Sequence, residues 1–208
     1  MVVKPGKRAY RSVRRAEAAD ETRARILAAA RRLLRGGGER SPAFSLEAVA
    51  QQAGVTRLTV YNQFESKLGL LEAVFDDMAR ESRLMQDMPA VFALPDPHAA
   101  LRQFVSVMCR FWDFHRRTLP RFDALTRLDD EVAASLKARK ERRRVVLTTL
   151  VQRLGPRRDA AELVDLLYAL TGFEMFDGLS VHGRDAAVVE ELMQATVTAA
   201  VARYVNDG

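Results

Sequence analysis

The chain has 208 residues, 48% of them hydrophobic and 29% charged, with a formal net charge of +6. That is enough apolar material for one or two packed domains and too much for a disordered polymer. The longest uncharged stretch, Leu192 to Ala202, falls short of the roughly 18 apolar residues a membrane span needs, and no apolar segment follows the basic N-terminus as a secretory signal requires, so the expectation is a cytoplasmic protein with no membrane partner.

The charge is unevenly placed. Residues 1–35 hold 11 Lys/Arg against 3 Asp/Glu, while the remainder holds 22 against 24. Residues 1–20 read as a basic, flexible arm, suited either to phosphates or to solvent. A first helix is predicted from Ala16 to Leu34, where Ile26, Leu27, Ala30, Leu33 and Leu34 recur at helical spacing and no Gly or Pro intervenes. Gly36, Gly37 and Gly38 end it, and Pro42 delays the next helix until Ser45, a good N-cap for Leu46 to Ala53. Gly54 and Val55 make a turn, Thr56 caps a short helix from Arg57 to Phe64, and Ser66 caps another that starts at Lys67 and carries Leu71, Val74, Phe75 and Met78. Pro89, Pro95 and Pro97 then mark a linker from Asp87 to Pro97. Further helices are expected at Leu101 to His115, Asp129 to Leu154, Asp159 to Leu179 and Asp185 to Tyr204. No convincing strand pattern occurs, so the fold class is all-α.

Two short helices joined by a glycine turn are the mark of a helix-turn-helix, whose second helix enters the major groove of DNA. At about 100° per residue, Val60 and Phe64 share one face of the Arg57 to Phe64 helix and Asn62 lies opposite them. One side is therefore core, and the other offers Arg, Thr, Tyr and Asn groups to base edges and phosphates.

The segment Ser45-Leu-Glu-Ala-Val-Ala-Gln-Gln-Ala-Gly-Val-Thr-Arg-Leu-Thr-Val-Tyr-Asn-Gln-Phe-Glu-Ser-Lys67 resembles the helix-turn-helix of the tetracycline-repressor-type (TetR) family. Arg25-Ile-Leu-Ala-Ala-Ala30 resembles that family's first helix, and the likeness covers roughly Thr22 to Phe75. The resemblance implies a three-helix, homeodomain-like DNA-binding domain at residues 21–68 and a larger helical domain for effector binding and dimerisation at 69–208. It implies that Arg57 reads a base, that Leu58 departs from the small residue common there and either meets a thymine methyl or is simply tolerated, and that Thr59 and Tyr61 share base edges and phosphate. Asn62, Gln63 and Lys67 would clamp the DNA backbone, with Lys67 at a helix N-terminus that itself favours phosphate. Thr22 or Arg23 would touch phosphate from the first helix, and the capping residues Ser45 and Thr56 complete the candidate DNA-binding set.

Tight binding of a short element calls for a symmetric homodimer on a palindromic double-stranded operator. The last two helices supply the expected seam, with Val188, Leu192, Thr196, Val197, Ala200 and Tyr204 on the final one. The resemblance also implies an unknown small-molecule effector. Candidate pocket residues are Val74, Met78, Phe104, Met108, Phe111, Trp112, Leu147, Phe173 and Glu174, although Met and aromatic residues at helical spacing are more often plain core. His115 and Glu174 interrupt apolar stripes; internal partners such as Arg110 or Arg121 would satisfy them, and a Glu174 facing a cavity would favour a cationic effector.

A helical enzyme is disfavoured. His98, His115 and His182 have no metal-ligand spacing, Cys109 has no partner beyond His115 on another face, and Asp129, Asp130 and Glu131 read as the charged start of a long helix. The run Lys137 to Arg144 reads as a solvated helix face. No cofactor and no metal site is expected. The predicted function is a sequence-specific transcriptional regulator, a repressor released from its operator by an effector; an effector-independent helix-turn-helix protein is the alternative.

Overall fold

A computed structural model describes residues 7–36, 43–126, 129–156 and 159–205, and among these there are helices and no strand. The chain divides into two compact units, Met1–Asp77 and Met78–Gly208.

In the first unit α1 runs from Lys7 to Arg35, so residues 7–20 of the expected flexible arm are helical; residues 1–6 lie outside the described residues. The cause is composition. Lys7 to Arg35 contains no Gly or Pro, so nothing stops the helix from propagating back from its anchored end. That end is fixed by Ile26, Leu27, Ala30, Leu33 and Leu34, all buried as their spacing predicts. Of the expected stop, Gly37 to Pro42 also lie outside the described residues. Helices α2 (Leu46–Ala53), α3 (Arg57–Phe64) and α4 (Lys67–Glu81) follow with the predicted starts. Helix α2 packs on both α1 and α3.

The second unit is built around α6 (Pro97–His115), which buries Leu101, Phe104, Val105, Met108 and Phe111 and packs against α5 (Leu84–Ala93), α8 (Asp130–Leu154), α10 (Phe173–Leu179) and α11 (Ala186–Val205). Helices α7 (Leu119–Thr126) and α9 (Ala160–Leu170) close on α8. Asp129 caps α8 through the Glu131 and Val132 amides, the role expected of it.

Two predicted elements are corrected. The linker from Asp87 to Pro97 is helical up to Ala93, with Pro89 inside α5. An interior proline costs about 3 kcal/mol, and here tertiary anchors offset it. Val91 is fully buried, Asp87 accepts from Arg110 at 2.7 Å, and Arg153 of α8 donates to the carbonyls of Phe92, Leu94 and Pro95 at the end of α5. The helix expected from Asp159 to Leu179 is instead broken at Thr171 and Gly172 into α9 and α10. The Thr171 hydroxyl bonds back to the Leu167 carbonyl at 2.7 Å and Gly172 is extended, which together end the first helix and begin a second.

Candidate nucleic-acid interface

Helix α3 is bracketed at both ends. At its start the Thr56 hydroxyl accepts from the Thr59 amide at 3.1 Å and meets the Thr59 hydroxyl at 2.8 Å. Before it, Gly54 sits at φ 66°, with its N–H bonded to the Gln51 carbonyl and that of Val55 to the Ala50 carbonyl. This paired bonding is a Schellman turn, whose left-handed residue disfavours any side chain with a Cβ. At the far end Glu65 adopts φ 63°, ψ −36°, and the Ser66 amide reaches back to the Phe64 carbonyl. The chain thereby reverses within two residues, and Ser66 then accepts from the Gly69 amide at 2.9 Å to start α4.

The faces of α3 fall as the sequence predicts. Val60 and Phe64 are buried, whereas Arg57, Leu58, Tyr61 and Asn62 are exposed, Leu58 at 65% and Tyr61 at 54%. An exposed leucine and tyrosine on a polar helix surface are the feature to explain, because nothing in the unit's own packing uses them. Thr59, Gln63 and Lys67 are half-buried at the edges of this display. Ser45 is half-buried too, accepting from the Ala48 amide at 3.1 Å while its own hydroxyl hydrogen remains available to an outside acceptor.

Two residues of the first helix have partners within the protein. Thr22 donates its hydroxyl to the Ala18 carbonyl at 2.8 Å, within its own helix. The Arg23 guanidinium donates to the Gln63 carbonyl at 3.0 Å and lies 4.4 Å from the centre of the Phe64 ring. Arg23 is thus an internal strut of the helix-turn-helix. Gly69 was passed over in the sequence because it sits inside a helix. A Cβ there would come 2.2 Å from the Phe64 carbonyl oxygen, so α4 approaches the end of α3 as closely as only glycine permits.

The residues expected to line a pocket are mostly core. Val74, in the first unit, is buried, as are Met78, Phe104, Met108, Phe111, Leu147 and Phe173 in the second. Trp112 is half-buried, donating to the Thr171 carbonyl at 3.0 Å and meeting Phe111 and Phe173 edge-on. Glu174 is exposed at the start of α10, which corrects the idea that it faces inward from an apolar stripe; the break at Gly172 turns it out. His115 is buried and bonds the Met78 carbonyl at 2.9 Å, while Arg110 serves Asp87. A surface hollow of about 420 Å³ is lined by Ala187, Glu190, Glu191 and Gln194, none of them an expected pocket residue.

Packing bears on three further groups. Burial pushes the Cys109 thiol up to about 12, with the nearby Glu190 carboxylate adding to the rise, which keeps it protonated at neutral pH. The run Lys137 to Arg144 is not wholly solvated: Arg143 and Arg144 both stack on Tyr168, and Arg144 pairs with Glu141 and Asp165. On α11, Val197, Ala200 and Tyr204 of the expected seam are buried within the protomer, while Val188 and Leu192 face outward.

Residues 26–74 match the profile of the bacterial regulatory proteins of the tetR family. No curated protein matches the sequence. Among solved structures, a transcriptional regulator from Rhodococcus sp. Rha1 is similar over 89% of this chain and 99% of its own, at 16% identity and a TM-score of 0.68. A TetR-like regulator from Rhodococcus sp. RHA1 gives a TM-score of 0.65 at 16% identity, covering 87% of this chain and 96% of that one. LfrR from Mycobacterium smegmatis, a TetR-like regulator in complex with proflavine, gives 0.55 at 21% identity, covering 88% and 97%. These likenesses show a shared fold across both units, and the profile match falls on the helix-turn-helix itself. Residues 26–74 thus carry the helix-turn-helix of the tetR-family profile, in a chain that shares its fold with these solved structures.

Proposed function

We propose that this regulator is a repressor that binds a palindromic operator as a homodimer through α3 and leaves it when a small molecule occupies the second unit. The observation that carries the DNA reading is the exposed face of α3, where Arg57, Leu58, Tyr61 and Asn62 are displayed while Val60 and Phe64 are held inside. Arg57 reads a guanine through O6 and N7, Leu58 meets a thymine methyl, and Thr59 and Tyr61 serve base edges and phosphate. Asn62, Gln63 and Lys67 hold the backbone, with Ser45 and Thr56 at the helix starts beside them.

Dimerisation is supported by the outer face of α11. Val188, Leu192, Ala195, Ala199 and Ala202 are exposed and recur at alternating steps of four and three, the pattern of a helix seam. A small-molecule effector is supported by the size of the second unit and by LfrR, which was crystallised with proflavine. A hundredfold preference of the effector for the form off DNA corresponds to roughly 2.7 kcal/mol of coupling.

Two substitutions test the DNA assignment. Arg57→Ala relaxes preference at one base pair at a cost of about 1–3 kcal/mol, whereas Lys67→Ala weakens all sequences alike and lowers the salt slope by about one. Equal effects of both on operator and random duplex refute it.

A further inference from the structure

Arg143 projects from the middle of α8 into an aromatic corner of the second unit. Its guanidinium lies 4.0 Å from the centre of the Tyr168 ring on α9 and 5.8 Å from that of Trp112 on α6, and Nη1 donates to the Thr171 hydroxyl at 3.1 Å. The next residue supplies a contrast. Arg144 stacks on the same tyrosine at 4.4 Å but is neutralised by Asp165 and by Glu141, the latter at 3.2 Å. Among the described residues no carboxylate pairs with Arg143; Glu174, itself exposed, comes near it across Gly172 without forming an ion pair.

A half-buried cation without an acid partner is costly to maintain. Burial accordingly pulls the Arg143 guanidinium below its ordinary value. Of the five N–H groups one goes to the Thr171 hydroxyl and the Tyr168 side chain accepts as well, which still leaves donors to spare. The guanidinium also lies over the ring of Trp112, which is fixed by its bond to the Thr171 carbonyl and by its T-shaped contact with Phe173 at 5.8 Å. Unspent guanidinium donors next to a fixed aromatic wall are what a carboxylate with an apolar body requires.

We infer that Arg143 anchors a binding site for a small organic anion, taking its carboxylate on the guanidinium edge while Trp112 and Phe173 receive its apolar body. The site stands on its own geometry; its part in regulation rests on the effector-released reading above. The sign is opposite to the one a cavity-facing Glu174 would have implied. Glu174 is exposed beside Gly172, and an arriving carboxylate adds direct hydrogen bonds to the field that Glu174 already places on Arg143.

Trp112 is the only tryptophan in the chain, so its emission reports on this corner without labelling. Phenylacetate, benzoate and octanoate, each beside its primary amide and corresponding amine, are titrated into the intact protein while Trp112 emission and melting temperature are followed. At least one acid is expected to shift both saturably, with its amide and amine weaker by about tenfold or more. Arg143→Gln removes the preference of acid over amide, and Arg143→Lys restores part of it. Silence of all three acids, an amide or amine as good as its acid, or full acid binding by Arg143→Gln overturns the site. If Arg143→Gln does not fold, the acid and amide comparison on the unaltered protein and on Arg143→Lys decides. Release of operator DNA is read in parallel. Arg143-dependent acid binding without release keeps the site and sinks the effector reading, whereas release by an amine with no response to acids sinks the site and keeps that reading.

Discussion

Arg23 on α1 and Phe64 at the end of α3 form a stacked pair, guanidinium carbon to ring centre 4.4 Å, and the same guanidinium donates to the Gln63 carbonyl at 3.0 Å. The last turn of α3 is therefore held from the first helix by a charge-assisted hydrogen bond and a cation–π contact. Truncation at Arg23→Ala removes both, at a cost of about 1–3 kcal/mol in folding stability. Operator affinity falls with it, because Tyr61 and Asn62 ride on the loosened turn. Denaturant unfolding combined with a DNA titration checks this; a phosphate ligand at that position would lower affinity and salt slope while leaving stability unchanged.

Gly69 gives a sharper steric prediction. The Cβ of Gly69→Ala would sit 2.2 Å from the Phe64 carbonyl oxygen, so α4 or the end of α3 must move. Overpacking of this kind costs about 1–3 kcal/mol even though alanine is the better helix former. A higher melting temperature for Gly69→Ala would show that the approach is looser than described.

The outer face of α11 separates assembly from folding. Val188 is 44% exposed and Leu192 39%, so Val188→Glu with Leu192→Glu leaves the protomer's own core intact. The double variant is expected to sediment as a folded monomer and to lose operator binding while retaining weak binding to random duplex. A variant that remains dimeric places the seam elsewhere.

Cys109 sets a pH dependence. Its folded thiol titrates at about 12 against the ordinary 9.0, so the unfolded chain releases this proton first as pH rises. The contribution is fully present below the ordinary value and is lost as pH climbs from there toward the folded one. Cys109→Ala should flatten that part of the stability profile, and a thiol reagent at neutral pH should label the native protein only at the rate of its opening.

What could be read in advance was whatever depends on neighbours in the chain. Ser45, Thr56 and Gly54 act on amides or carbonyls a few residues away, and the faces of α3 follow from helical period alone, so this part of the interface was legible. Partnerships across tens of residues were not. Nothing near Arg23 in the chain announces its contacts with Gln63 and Phe64, and Gly69 looks like a helix defect until the Phe64 carbonyl is in place. Pro89 inside α5 and the break at Thr171 follow the same rule. In one, contacts from α6 and α8 override a helix breaker; in the other, a side-chain bond and a glycine interrupt a pattern that is apolar throughout. On α11, both inward and outward faces are apolar, so hydrophobicity could not tell Val197 from Val188.

The stops on either side of α3 also set how much genetic text one protomer can recognise. Eight residues, Arg57 to Phe64, rise about 12 Å along the axis, which spans about four base-pair steps of a duplex. A word of four letters recurs by chance about once in 256 positions, far too often to single out one promoter among the millions of competing positions in a genome. Two such words at a fixed spacing multiply their rarity, so a helix that stops at Glu65 gives the proposed pairing of protomers an informational advantage as well as an energetic one.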